Sequence, residues 1–102
     1  MKEEKLFEQV KRKLDVTWDD MDTDRKIKEI MLSAVGIISH QIGAEEGFDF
    51  TVPGIENTLV LSLCLYLWNN TEMNLFYENY ETLILQARAI HEVKEYVNGN
   101  LQ

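Results

Sequence analysis

Residues 59–68 read Leu-Val-Leu-Ser-Leu-Cys-Leu-Tyr-Leu-Trp, a run that is apolar at every position except Ser62. A helix that is hydrophobic on all sides must be covered on all sides, by its own domain or by neighbouring copies. The run is about half of the roughly 20 residues that a helix needs to cross a bilayer. We therefore interpret it as a very apolar helix around which the rest of the chain packs.

The charges around this run favour packing over binding to nucleic acid. No lysine or arginine occurs between Lys28 and Arg88, whereas eight carboxylates lie from Glu29 to Glu81. The chain of 102 residues has a formal net charge of -8. Binding to phosphate backbones or to anionic membranes depends on lysine and arginine. The charge therefore disfavours both kinds of partner.

Hydrophobic periodicity on either side of the run predicts an all-α single domain, residues 1–102, with about four helices. The expected helices cover about residues 2–14, from a cap at Asp22 or Thr23 to Ile42, about 55–69, and from a start between 73 and 80 to Val97. Gly43 is placed to cap the second helix in the left-handed conformation. Gly36 lies inside that helix, where it permits close approach of another backbone.

One longer loop, about residues 44–52, separates the second helix from the third. Residues 48–52 alternate apolar and polar side chains, which fits an extended segment or a short strand. The triplet Asn98-Gly99-Asn100 is predicted to end the fourth helix and to leave a short polar tail.

Motifs that would carry catalysis or bind a metal are incomplete. The aspartates of residues 20–24 alternate as in a calcium loop, but Arg25 replaces the required glycine and Met31 the bidentate glutamate. Neither His40 nor His91 has a partner at the spacing of a metal site. The sequence thus predicts no enzyme, no catalytic residue, no metal and no cofactor.

The single cysteine and the first residues favour a soluble cytoplasmic protein. Cys64 lies inside the apolar run, has no partner for an internal disulfide, and is interpreted as a small core hydrophobe. Residues 1–5 lack the apolar core of a signal peptide.

The order of several short segments resembles a known family. The segments are Leu14–Asp20, Ile42-Gly43, Phe48-Asp49-Phe50, Tyr66–Asn70, Phe76–Tyr80 and Leu85–Arg88. In this order they resemble the small head–tail connector (head-completion adaptor) proteins of tailed bacteriophages and prophages, also described as DNA-packaging proteins of the Gln-Leu-Arg-Gly type. The resemblance covers about residues 5–95. The namesake tetrapeptide stands here as Gln86-Ala87-Arg88-Ala89, without its leucine and glycine.

The resemblance implies a structural subunit of the virion. In such proteins about a dozen copies form a ring on the portal, with head-to-tail contacts that close. The ring extends the DNA channel and receives the next tail-proximal connector or stopper protein. DNA passes through without specific binding, and no cofactor or membrane is involved. The implied location is the head–tail interface, with the host cytoplasm before assembly.

A ring of this kind needs two unlike adhesive surfaces on each subunit. The first candidate is the aromatic loop, expected to dock on the first or last helix of the adjacent subunit: Phe48, Asp49, Phe50, Thr51 and Val52. The other candidates are the basic cluster against an acidic portal surface, and the polar tail: Lys11, Arg12, Lys13, Asn98 and Asn100. Serine at positions 48 and 50 is expected to leave a folded monomer.

Two other interpretations of the sequence stay open. An acidic regulator or DNA mimic would bind a basic cytoplasmic partner through carboxylates, in a complex that modest salt dissolves. A lone helical domain would instead have residues 59–68 covered by a partner's helix. A connector differs from the mimic because its apolar and aromatic contacts survive salt.

Overall fold

Four helices make up the part of the chain that the structure describes. The structure is a computed structural model that describes residues 2–100, with side chains from 2 to 94. The helices are α1 (Lys2–Lys13), α2 (Met21–Ile42), α3 (Ile55–Trp68) and α4 (Met73–Asn100). Residues 2–100 contain no strand. The prediction of an all-α domain with four helices is confirmed.

The helices α2 and α3 form the centre of the bundle. Both α1 and α4 pack on this central pair, whereas α1 and α4 do not approach each other within the described residues. The outer faces of α1 and α4 therefore lie on different sides of the α2–α3 pair. Within the same residues, no helix combines the length and the hydropathy that a membrane span requires.

The core is built from one face of each outer helix and most of the two central ones. No side chain from 59 to 68 is exposed, so the domain itself covers α3. Cys64 is fully buried, and this burial raises the pKa of its thiol to about 12 because the thiolate loses its hydration. The interpretation of Cys64 as a core hydrophobe is confirmed. The other fully buried side chains among the described residues are Val10, Ile27, Met31, Ala34, Ile38, Ile42, Leu59, Val60, Leu63, Phe76 and Ala87.

The ends of α2 show one correct and one wrong prediction. Gly43 is left-handed (φ 70°), and its N–H donates to the carbonyl of Ser39, as a C-terminal cap requires. The N-terminal cap is Asp20, not Asp22 or Thr23. Its extended backbone (φ -149°, ψ 126°) leaves the carboxylate free to accept the Thr23 N–H at 2.9 Å.

Two further sequence-based expectations are wrong. The helix α4 continues to Asn100 and does not end at Val97, because one glycine costs a helix only about 1 kcal/mol and does not force a stop. Apart from its chain neighbours and the local backbone of α2, no described atom lies within 4 Å of the position that a Cβ of Gly36 would occupy. Within the described residues, the glycine therefore does not serve a close backbone approach. The helices α1 and α3 each end one residue earlier than expected.

Two helices end on left-handed residues that are not glycine. Asp15 (φ 59°) follows α1, where the Val16 N–H donates to the Lys11 carbonyl at 3.0 Å. Asn70 (φ 54°) follows α3, where the Thr71 N–H donates to the Tyr66 carbonyl at 2.9 Å. Both bonds are the long closing bond of a Schellman cap, which glycine favours because it lacks a Cβ.

Replacing Asp15 by glycine should stabilise the fold by about 0.5–1 kcal/mol, since relief of the left-handed strain exceeds the added entropy of the unfolded chain. Urea denaturation followed by circular dichroism measures the change. The matched control is Asp22→Gly within the first turn of α2, where the same substitution should destabilise by about 1 kcal/mol. Equal effects at both positions would contradict the strain at Asp15.

Candidate functional site

The segment between α2 and α3, residues 43–54, is the candidate assembly site. It forms successive turns, not the extended segment or strand that the sequence allowed. The Phe48 N–H donates to the Glu45 carbonyl at 3.2 Å, and Gly47 between them is left-handed (φ 80°). These turns reverse the chain and aim Phe48 and Phe50 at the bundle.

Asp49 holds the middle of the loop. Its Oδ1 accepts the Thr51 N–H at 2.9 Å and the Thr51 hydroxyl at 2.6 Å. These two bonds stabilise the ionised form and lower the pKa of the Asp49 carboxyl, and Lys2 and Lys5 contribute in the same direction. Asp49 is therefore ionised at neutral pH and turned toward its own loop.

The lowered pKa of Asp49 predicts a loss of stability in acid. A carboxyl with a lower pKa in the folded state stabilises the fold above its unfolded pKa of about 3.9. That contribution disappears as the pH falls through the folded pKa. We expect the thermal midpoint of the Asp49→Asn variant to fall less than that of the parent between pH 7 and pH 3, as followed by circular dichroism. Asparagine keeps an acceptor for Thr51, so parallel curves for the two proteins would refute the contribution of the charge.

A side-chain network joins the loop to α1 and α3. The Asn57 amide donates to the Phe50 carbonyl at 2.7 Å and to Gln9 Oε1 at 2.8 Å. Gln9 in turn donates to the Thr51 carbonyl at 2.9 Å. Two loop carbonyls without helical partners thus accept hydrogen bonds from Asn57 and Gln9. These two donors lie 48 positions apart in the chain, so the network ties the loop to both α1 and α3.

The two phenylalanines pack within their own subunit. Phe50 is buried, and the Phe48 ring meets it edge-on with centroids 4.9 Å apart. The same Phe48 ring meets the buried His91 of α4 edge-on, also at 4.9 Å. His91 Nε2 lies 3.3 Å from Glu56 Oε2, so α4, the loop and the start of α3 meet at this point. The expectation that both phenylalanines can become serine in a folded monomer conflicts with this packing.

A groove of about 450 Å³, here called the loop groove, opens beside the phenylalanine pair. Phe48, Val52 and Pro53 supply its apolar surface. The Val52 side chain is 59% exposed, so the tip of the loop remains accessible. The charged residues around the groove are Lys2, Glu45, Asp49 and Glu56. The sequence analysis missed Glu45, Pro53 and Glu56, whose only sequence signal was proximity to the loop or to a helix start, and His91, which had no signal for this site.

The structure separates the three cations at the end of α1. Lys11 is buried, and its Nζ lies 3.0 Å from Asp19 and 3.2 Å from Asp24. Hydrogen bonds to these two carboxylates raise the pKa of Lys11 against the opposing effect of burial. Arg12 and Lys13 are exposed. Lys11 is thus engaged within its own chain, and the cations left for a partner are Arg12 and Lys13.

The remaining candidate residues lie where side chains are not described. Asn98 and Asn100 belong to the backbone of α4, but their side chains lie outside the described residues, and their contact role stays a prediction. In the described part of the chain, no three histidine, cysteine or acidic side chains lie close enough to hold a metal ion. The site offers a concave, partly apolar surface on a loop that side-chain hydrogen bonds hold to α1 and α3. Comparisons with family models, curated protein sequences and solved structures find no match.

Proposed function

We propose that this protein is a structural head–tail connector (adaptor) subunit of a tailed phage or prophage. Copies of the chain assemble as a ring on the portal protein, extend the DNA channel and receive a tail-proximal connector or stopper protein. The virion head–tail interface is the proposed location, reached from the host cytoplasm. The four-helix fold and the order of its segments support this assignment.

The observation that carries the proposal is apolar surface left outside the core on α4. Leu75 and Val93 lie eighteen residues apart, about five turns, and therefore on one face. This face points away from Phe76, Ile84 and Ala87, which pack into the core. Among the side chains of α4 that the structure describes, residues 73–94, the exposed large hydrophobic ones are Leu75, Leu85, Ile90 and Val93. Ile90 and Val93 are three residues apart and therefore neighbours on the helix surface. Exposed apolar residues that join into a patch favour a site for partners.

The charge distribution supports a channel that DNA crosses without binding. Eight carboxylates and no lysine or arginine lie between Lys28 and Arg88. A channel wall with few cations does not neutralise phosphates. Counterion release therefore contributes little free energy to DNA binding at that wall. The exposed carboxylates at Asp15, Asp19, Asp20 and Asp22 favour a second candidate function, an acidic regulator or DNA mimic.

Electron microscopy of portal vertices tests the proposal. DNA-filled heads that lack this protein are mixed with it at about 0.5 M salt, where charges more than a few ångström apart are screened. The connector assignment predicts a new ring of density on the portal. The variant Leu85→Asp with Val93→Asp should lose this ring, and Glu81→Lys, an exposed change on the same helix, should keep it. Bare portals, with salt-sensitive binding to a basic protein, would favour the acidic regulator.

A further inference from the structure

The loop groove has the chemistry of a receptor for a basic and partly apolar segment. Three carboxylates, Glu45, Asp49 and Glu56, line it together with a single cation, Lys2. Asp49 is turned toward its own loop by two bonds from Thr51, so Glu45 and Glu56, the latter 3.3 Å from His91, are the carboxylates that a partner would meet. Lys94 reaches Glu45 only at 3.7 Å, and both side chains are more than half exposed, so water screens this pair. A volume of about 450 Å³ is within the range of sites that accept one or two side chains.

A matching surface lies at the other end of α1. Arg12 and Lys13 are exposed and form no ion pair within the described residues. Among the side chains from 2 to 94 they are the only adjacent cations without a carboxylate partner. Trp18, in the connection between α1 and α2, is 53% exposed, and its carbonyl accepts a hydrogen bond from Lys11 of α1. The end of α1 therefore presents two exposed cations without an ion-pair partner among the described side chains, and an exposed aromatic residue follows in the connection to α2.

The two surfaces cannot meet within one subunit. Lys2 lines the loop groove, and Arg12 lies ten residues later in the same straight helix, about 15 Å away. A contact between them must therefore join two copies. Unlike surfaces at opposite ends of a subunit form a head-to-tail interface, which closes into a ring when the rotation allows it.

We propose that the loop groove of one copy receives Arg12, Lys13 and Trp18 from the α1 end of a second copy. This inference rests on the proposed function and adds the pair of surfaces through which the ring would close. The two cations face Glu45 and Glu56, and the Trp18 ring covers Val52 and Pro53.

Disulfide trapping between two variants tests the contact. Val52→Cys protein is mixed with Lys13→Cys protein that carries a mass tag, both free and on portal-bearing heads, and the mixture is oxidised. The native Cys64 does not interfere, because it is fully buried and its pKa is about 12. The control pairs Val52→Cys with Ser33→Cys, an exposed position on α2 that belongs to neither surface. The expected result is about tenfold more mixed dimer from the first pair, because a formed interface holds its thiols together.

Charge reversal tests whether the disulfide yield depends on the proposed ion pairs and not only on chance collisions of the two thiols. Arg12→Glu in the Lys13→Cys protein should lower the yield about tenfold, because like charges across an interface oppose association. Glu45→Lys in the Val52→Cys partner should restore the yield. Circular dichroism of each variant shows that it has folded.

The outcomes separate this inference from the proposed function. Equal yields from the test and control pairs, in solution and on heads, would overturn the contact, as would a yield that does not respond to the charge reversals. Rings on the portal without the mixed dimer would overturn the contact alone. The mixed dimer without any ring would overturn the connector assignment and leave the contact standing.

Discussion

Replacing Phe76 by alanine should destabilise the fold by about 3–5 kcal/mol, the cost of removing a large aromatic side chain from a core. Phe76 is fully buried at the start of α4. Its ring stacks on Tyr80 at 5.0 Å and meets Tyr66 of α3 edge-on at 5.4 Å. The substitution therefore removes one of the aromatic contacts between α3 and α4 and leaves the edge-on contact of Tyr66 with Tyr80 at 6.1 Å. For a domain of this size, the thermal midpoint should fall by about 15 °C or more.

The neighbouring residue provides the matched control for this prediction. Leu75 lies on the outer face of α4 and is 45% exposed. Leu75→Ala should change stability by no more than about 0.5 kcal/mol, as surface substitutions do. Thermal denaturation followed by circular dichroism compares the two variants. A loss at Phe76 as small as the loss at Leu75 would show that the aromatic cluster does not hold α3 and α4 together.

The sequence predicts a part of the fold correctly where only one residue or one spacing suits the position. The register of α2 follows from its apolar spacing, and Gly43 is the one residue near Ile42 that adopts φ 70° without strain. The N-terminal cap was misassigned because Asp20, Asp22 and Thr23 all suit that position. The choice of Asp20 depends on the path of the chain from α1, which Lys11 fixes by binding Asp19 and Asp24. That contact is tertiary and has no local signature.

The candidate site shows the same division between local and tertiary signals. Alternation along residues 48–52 identifies Phe48 and Phe50 as side chains that need cover, but it does not say what covers them. His91, more than forty residues away, packs on the Phe48 ring, and the network through Gln9 and Asn57 holds the backbone carbonyls of the loop. Within residues 48–52, Val52 is the one apolar residue that is largely exposed, whereas Phe48 is partly buried and Phe50 is buried. The structure thereby moves the test of the assembly hypothesis from the phenylalanines to Val52.

Lys11 shows why a run of like charges is not one surface. In the sequence, Lys11, Arg12 and Lys13 are equivalent cations at a helix end. On the helix they point in directions about 100° apart, so one of them faces the bundle. The stem of Lys11 passes the Phe7 ring, with Nζ at 5.7 Å from its centroid, and the head reaches two aspartates. Burial of the stem with a paired head group is how a lysine enters a partly apolar site.

Replacing Phe50 by serine should cost at least about 3 kcal/mol, because the change removes a buried ring and puts a hydroxyl in its place. Phe50 is 5% exposed and supports the Phe48 ring, which in turn packs on His91. The Phe50 carbonyl also accepts from Asn57 at 2.7 Å, so a displaced loop would leave that amide without its partner. Urea denaturation should show a lower midpoint, and the double variant with Phe48→Ser should be less stable still.

Val52→Ser provides the matched control and separates folding from assembly. The Val52 side chain is 59% exposed, so its loss should change stability by about 0.5 kcal/mol or less. Under the connector proposal, this stable variant should nevertheless bind portal-bearing heads more weakly than the parent protein, because its apolar contact is missing. A Phe50→Ser protein that lost binding would only report that the loop had unfolded. Normal ring formation by Val52→Ser would therefore count against the loop as a contact surface, and a loss of rings from a fully folded Val52→Ser protein would count for it.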